Sequence, residues 1–373
     1  MKNQKILKKE GIELVSTLNE QKVQHIANKV SKKICSAFPE HNLNQNDIYT
    51  ALSKTNMYFA DFTLHTVGAK YYYKNQSMYF NRKFETKKLS DLTTHECIHF
   101  IQEKRKPNGS LSRFGLYRIN TIKPSGLAIN EAAVQLMTVK ANGNKPDYVK
   151  YYGLDLYTPS PDYYPVGCAL LNQIAFFIGT FPIFHSTLYS DDVFKKTFAT
   201  KTSSRIYTYI ENSFDLIEEY EEKLSKLLYT LSTNNDEIIA KKLNEKIENL
   251  KQIISSTILH TQEIILKECF KSEIDNARDL VTVNSIRKKI VEFKQYLITK
   301  PDYDFYELFS AEVLGKLDEK EEFIKNYGIS HYFEKNNQYL PILAKQQYGV
   351  NFFLNIFAKL KKLFEPETEK KLD

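Results

Sequence analysis

The sequence predicts an α+β chain that is mostly helical, with a small β-sheet early and a lobe of long helices late. Three observations predict it. Aromatic runs of strand length crowd residues 57–80. Two helical segments carrying unusual polar residues follow, around residues 90–104 and 125–135. From about Ser204 apolar residues recur at three- and four-residue steps. This change of pattern divides the chain into residues 1–203 and 204–373.

The basic start, Met1 to Lys9, is assigned to the first unit as an N-terminal helix. No sustained apolar stretch follows it, so neither a secretory signal nor a transmembrane helix is expected. Met57 to Phe62 reads as a short strand. Ala69–Tyr73 and Ser77–Phe80 flank Lys74-Asn75-Gln76 and read as a β-hairpin with a tight polar turn. Ser90-Asp91-Leu92-Thr93 then offers an N-cap and an acidic first turn. Leu92, Ile98, Phe100 and Ile101 give this segment apolar surface, and Gln102 to Gly109 closes it with basic residues, Pro and Gly. A helix from Ser90 to Lys104 is expected. A second begins within Ser125 to Gln135.

Tyr, Gly and Pro clusters at 147–153 and 159–165 read as a loop. The apolar run from Val166 to Phe184 contains Asn172, Gln173 and Pro182 and is short for a membrane span, so it reads as a buried helix. Ile217, Tyr220, Leu224, Leu227 and Leu231 form one helical stripe. Ser232 to Asp236 breaks it, and Ile239, Leu243, Ile247, Leu250, Ile254 and Ile258 resume it. Two long antiparallel helices account for this, with another near Val283 to Leu297. This half either supports the first or shapes a cleft and recruits a partner. The tail from Asn351 to Phe364 is amphipathic, suited to the protein's own surface or to peripheral contact with an anionic membrane.

The chemistry concentrates in His95-Glu96-Cys97-Ile98-His99, an H-E-x-x-H pattern. Residues four apart share one face of a helix, so both imidazoles can reach one metal ion. Glu96 lies about 100° further round, where a carboxylate can accept a proton from a nearby water. Cys97 points away from that face and reads as a buried small hydrophobe. A catalytic zinc takes a third protein ligand and keeps one open position. Glu131, in Asn130-Glu131-Ala132-Ala133, is the best candidate, because small neighbours let two helices approach closely.

His95-Glu96-x-x-His99 together with Gly126-x-x-x-Asn130-Glu131 resembles the gluzincin class of zinc metallopeptidases. That class includes thermolysin-like enzymes and, with a longer spacing, the clostridial neurotoxin light chains. The resemblance covers roughly residues 55–185. It implies a zincin-like catalytic domain with a small sheet and two metal-site helices. It implies Zn2+ held by His95, His99 and Glu131, with Glu96 as general base. It also implies an edge strand that pairs with an extended peptide. The chain departs from thermolysin-like enzymes at Gln135, where they carry an Asp that orients a ligand His. Tyr163 or Tyr164 is a candidate donor to the oxyanion. The expected function is a zinc-dependent endopeptidase acting on a peptide or protein substrate. The alternative is a catalytically inactive zincin-like protein that binds partners through its helical half.

Composition narrows the rest. Hydrophobic residues make up 42% of the chain, enough for a substantial core. Cys35, Cys97, Cys168 and Cys269 are widely spaced and read as free thiols of a reducing compartment, so a cytoplasmic protein is expected. The charge of +7 comes from Lys interspersed with acids, without an arginine cluster, so no nucleic-acid partner is expected. Usage rich in Lys, Asn, Ile and Tyr, with no Trp, looks like an AT-rich bacterial genome. His25, His41, His65, His185, His260 and His331 show no ligand spacing; His185 follows the catalytic segment most closely.

Overall fold

A computed structural model describes residues 2–63, 67–83, 86–119 and 124–337. The amphipathic tail at 351–364 and His65 lie outside the described residues. The chain opens with α1 (Lys2–Lys9), β1 (Ile12–Thr17), α2 (Glu20–Ala37) and α3 (Gln45–Ser53). Strands β2 (Asn56–Phe62), β3 (Ala69–Tyr72) and β4 (Ser77–Asn81) follow, as the aromatic runs predict. Next come α4 (Thr86–Ile101), β5 (Glu103–Arg105), β6 (Leu111–Phe114) and α5 (Leu127–Asn142). Then come β7 (Asp147–Tyr151), β8 (Leu154–Thr158), α6 (Pro165–Ile178), α7 (Phe181–Tyr189) and α8 (Val193–Lys201). The long helices are α9 (Ser204–Thr233), α10 (Glu237–Asn276), α11 (Leu280–Phe293) and α12 (Phe305–Asn337). The molecule is thus α+β and mostly helical, with small sheets.

The main sheet has the order β1-β2-β4-β3. β1 and β2 are antiparallel, β2 and β4 parallel, and β3 and β4 antiparallel. The hairpin between β3 and β4 turns through Gln76, whose φ of 52° is tolerated in a short turn. β4 is buried along its whole length, while β3 forms the sheet edge beside α4.

Three local expectations need correction. Helix α4 starts at Thr86 rather than Ser90 and stops at Ile101 rather than Lys104. Glu103–Arg105 instead pairs with Leu111–Phe114 as a two-stranded ribbon. The Arg105 guanidinium enforces this by donating to Glu103 and to the carbonyl of Tyr73. Tertiary contacts there outweigh helix propensity. The expected loop at 147–153 is part of a hairpin, β7–β8. Its turn residues Tyr152 and Gly153 have φ of 54° and 77°, as a type I′ turn requires. Tyr148 packs on Tyr157 across the strands. The apolar run after Pro165 is two helices, not one. Gly179, at φ 77°, ends α6, and Pro182 lies in the first turn of α7. The two meet at 116°. Among the described residues no single helix is long and apolar enough to cross a membrane.

One hydrophobic core joins both halves of the chain, from Leu18 through Val134, Leu170 and Phe214 to Leu317. Gly167 of α6 sits against Ala132 of α5, where an added Cβ would lie 3.0 Å from the alanine methyl. Polar links reinforce the junction. Gln173 of α6 donates to Gln262 of α10 at 2.7 Å, and Gln262 in turn holds both backbone groups of Ile298. Helix α5 begins at Gly126, which has no side chain to cap it. Asp215 of α9 supplies the cap by accepting from Gly126 N at 2.8 Å and Ala128 N at 3.1 Å. Nearby, Arg118 pairs with Glu211 of α9, whose carboxylate is 1% exposed. All four cysteines are free thiols, and Cys97 is fully buried beside Met78.

Arg118→Met leaves the Glu211 carboxylate buried without its partner. We expect a loss of about 3 kcal/mol in urea unfolding. A change within experimental error would show that the pair is not needed. Lys320 of α12 is buried and donates to the carbonyls of Ile274 and Asp275 at the end of α10. Burial pushes it down from the ordinary lysine value of 10.5 to about 8. A lysine depressed in this way costs the fold stability below the lower value. The cost is relieved as pH rises from 8 toward 10.5. Across that window wild type should therefore gain stability relative to Lys320→Met. Parallel pH profiles for the two proteins would refute this.

Candidate metal centre

α4 and α5 pack against each other and bring together the residues that the H-E-x-x-H pattern singles out. His95 and His99, one turn apart, present their Nε2 atoms 3.0 Å from each other, with ring planes at 73°. Glu131, in the second turn of α5, places Oε2 3.3 Å from each of them. Bonds of about 2.0–2.1 Å to a tetrahedral zinc set donor atoms about 3.3 Å apart, so the triangle has the right size. His95, His99 and Glu131 form a group that could hold a metal ion.

The electrostatics favour a cation there. The main groups acting on Glu96, Glu131, Glu218 and Tyr164 are carboxylates and histidines, with no lysine or arginine among them. Burial would raise the Glu131 carboxyl, but His99 and His95 hold it well below the usual range. Burial would lower His95, yet Glu131 and Glu96 prevail and raise it. Burial raises Glu96, against the pull of His95 and His99. Two imidazole nitrogens this close, facing a carboxylate in a buried site, can share either a proton or a metal ion.

Glu96 lies at the junction of helix and sheet. Its Oε2 accepts the Tyr71 N–H of edge strand β3 at 2.5 Å. This contact fixes a carboxylate that its helix alone would leave free to rotate. The Tyr164 ring stacks on His95 at 6.0 Å and 7°. The residue as a whole is 42% exposed; burial of its hydroxyl end and the carboxylates of Glu131, Glu218 and Glu96 raise that hydroxyl above the ordinary tyrosine value. Tyr164 starts α6 in the left-handed region, at φ 50°. The backbone carbonyl of the adjacent Tyr163 accepts the Ser160 hydroxyl at 2.6 Å. His185 sits elsewhere, on α7, paired with Asp191 at 3.1 Å and packed among Phe181 and Tyr189.

Gln135, at the position of the expected departure, places Oε1 2.9 Å from His95 Nδ1. Its amide nitrogen donates to Ser160 at 2.9 Å. Sequence reasoning missed the counterpart on the other ligand. Gln102 lies 2.8 Å from His99 Nδ1 and is 1% exposed. Its position three residues after His99, on the same helical face, was the available signal. Phe114 stacks on His99 at 5.2 Å and walls off that side. Asn130, fully buried, accepts the Leu116 N–H at 2.9 Å and ties residues 115–119, the approach loop that follows β6, to α5. Gly115 makes that approach possible. It has φ of 59°, and an added Cβ would fall 2.2 Å from Asn130 Oδ1 and 2.5 Å from Gln102 Oε1.

At the N-terminal end of α5 a cleft of about 510 Å³ opens between Tyr117, Leu127, Asp215, Glu218 and Glu222. Burial and the neighbouring carboxylates, Glu131 first, push Glu218 up to about 8. No protein-family model, no curated protein and no solved structure matches this chain.

Proposed function

We propose that this chain is a zinc-dependent endopeptidase of gluzincin type with a zincin-like catalytic region. The observation that carries the reading is the donor triangle of His95, His99 and Glu131 with the Glu96 carboxylate beside it. Two imidazoles and a carboxylate suit zinc as a borderline acid, and the three leave room for a fourth position. When bound there, zinc supplies Lewis acidity to a substrate carbonyl and lowers the pKa of water.

The chain's own residues do the rest. Glu96 takes a proton from the attacking water and returns it to the leaving amine. The N–H of Tyr71 holds the Glu96 carboxylate in place on the side of the edge strand. Because the same strand would pair with an extended peptide, base and scissile bond share one support. Tyr164, whose ring stacks on His95, would donate its hydroxyl to the oxyanion in this reading.

Elemental mass spectrometry of protein purified without chelators should find near one zinc per wild-type chain and clearly less in Glu131→Ala. Absence of metal from wild type after zinc is added back would end the zinc reading. Glu96→Gln should keep its metal and its melting temperature. Its cleavage of a mixed-sequence peptide library should fall by about 10²–10⁴-fold. Undiminished turnover in that variant would remove Glu96 from the mechanism. A loaded wild type that cleaves nothing would favour the interaction-protein alternative.

A further inference from the structure

Each candidate ligand histidine has a second ring nitrogen, and in this chain both meet a glutamine amide. An imidazole that ligates through Nε2 carries its proton on Nδ1, and that proton needs an acceptor. For His95 the acceptor is in place: Gln135 Oε1 lies 2.9 Å from Nδ1. The other end of the Gln135 amide is anchored by Ser160, which is held by the Tyr163 carbonyl at 2.6 Å.

For His99 the amide of Gln102 is at 2.8 Å, with its nitrogen toward the ring. Its oxygen is buried and has no partner. That oxygen and Asn130 Oδ1, both acceptors, lie beside the same point, 2.5 and 2.2 Å from where a Cβ of Gly115 would fall. Asn130 Oδ1 is fixed, because it accepts from Leu116 N. A half-turn of the Gln102 amide resolves both conflicts. Its oxygen then accepts the His99 Nδ1–H, and its NH2 turns toward Asn130.

We infer that Gln102 and Gln135 are a matched pair of positioning residues, and that their neutral amides leave the centre holding its metal loosely. The inference rests on reading the site as a zinc centre. An amide carbonyl fixes the tautomer and the ring as a carboxylate would. It adds no negative charge behind the ring, so each imidazole is a weaker electron donor. Outer partners of this kind change metal affinity by about 10–100-fold. At Nδ1 each histidine meets an amide in place of a carboxylate, so the metal is exchangeable and the activity follows the available zinc.

The test is zinc affinity of the full chain, by competition with a chromophoric chelator at fixed pH. Gln102→Glu and Gln135→Glu supply the missing charge and should tighten binding about 10-fold or more. Gln102→Met and Gln135→Met keep length and volume but remove the acceptor. They should weaken binding by the same order. Opposite signs at each position support the inference, and a packing role could not produce them. The Glu variants alone decide the matter should the Met variants fail to fold. Unchanged or weakened affinity in the Glu variants would overturn the inference while leaving the zinc reading intact. A wild type that takes up no zinc would overturn both.

Discussion

The structure depends on one constraint: two imidazole nitrogens and a carboxylate oxygen from different helices must meet within 3.3 Å in a buried place. Such a cluster is buried polar surface that must be satisfied by a shared proton or a metal ion, and the surrounding fold holds it together. Both histidine donors are fixed from behind. Gln135 and Gln102 stand behind the histidine rings, Phe114 and Tyr164 lie on their faces, and Asn130 secures the loop over α5. Glu96 is pinned from the sheet rather than from the helix that bears it. Preorganisation of this sort is what a hydrolytic site requires, because any looseness is repeated as a cost in the transition state.

Much of this was legible in the sequence, and the limits are instructive. His95 and His99 were readable because helical geometry turns a spacing of four into a shared face. Glu131 was readable because small residues surround it, although Ala132 meets Gly167 of α6 and not the histidine helix. The β3–β4 hairpin followed from aromatic runs around a polar turn. Gln102 was overlooked because a glutamine near a helix end has no chemistry of its own until a histidine nitrogen is placed beside it. The β5–β6 ribbon was hidden because Lys and Arg at 104–105 look like a helix terminus. The carbonyls of Gly109 and of Tyr73, the latter distant in sequence, and the Glu103 carboxylate give Arg105 another task. The β7–β8 turn was hidden because Tyr152 is a rare choice for a positive φ.

The long helices have a definite relation to the centre. Asp215 caps the helix that carries Glu131, and Glu211 of the same α9 anchors Arg118 in the approach loop. Glu218, one turn further along α9, lines the cleft and feels the Glu131 charge. A single helix thus supplies a cap, an anchor and a wall. The supporting role expected of the second half is visible in named contacts, with a share in shaping the cleft added to it.

The borrowed cap has a practical side. Helix α5 starts on a glycine, and its first amides are satisfied by a residue 89 positions later in the chain. The composition changes near Ser204, and anyone designing fragments, fusions or circular permutants would be drawn to cut there. Such a cut separates the Glu131 helix from the carboxylate that finishes its first turn. Insertions are better placed in the polar joint between α9 and α10, at residues 234–236, where the backbone is exposed and far from the ligands in sequence.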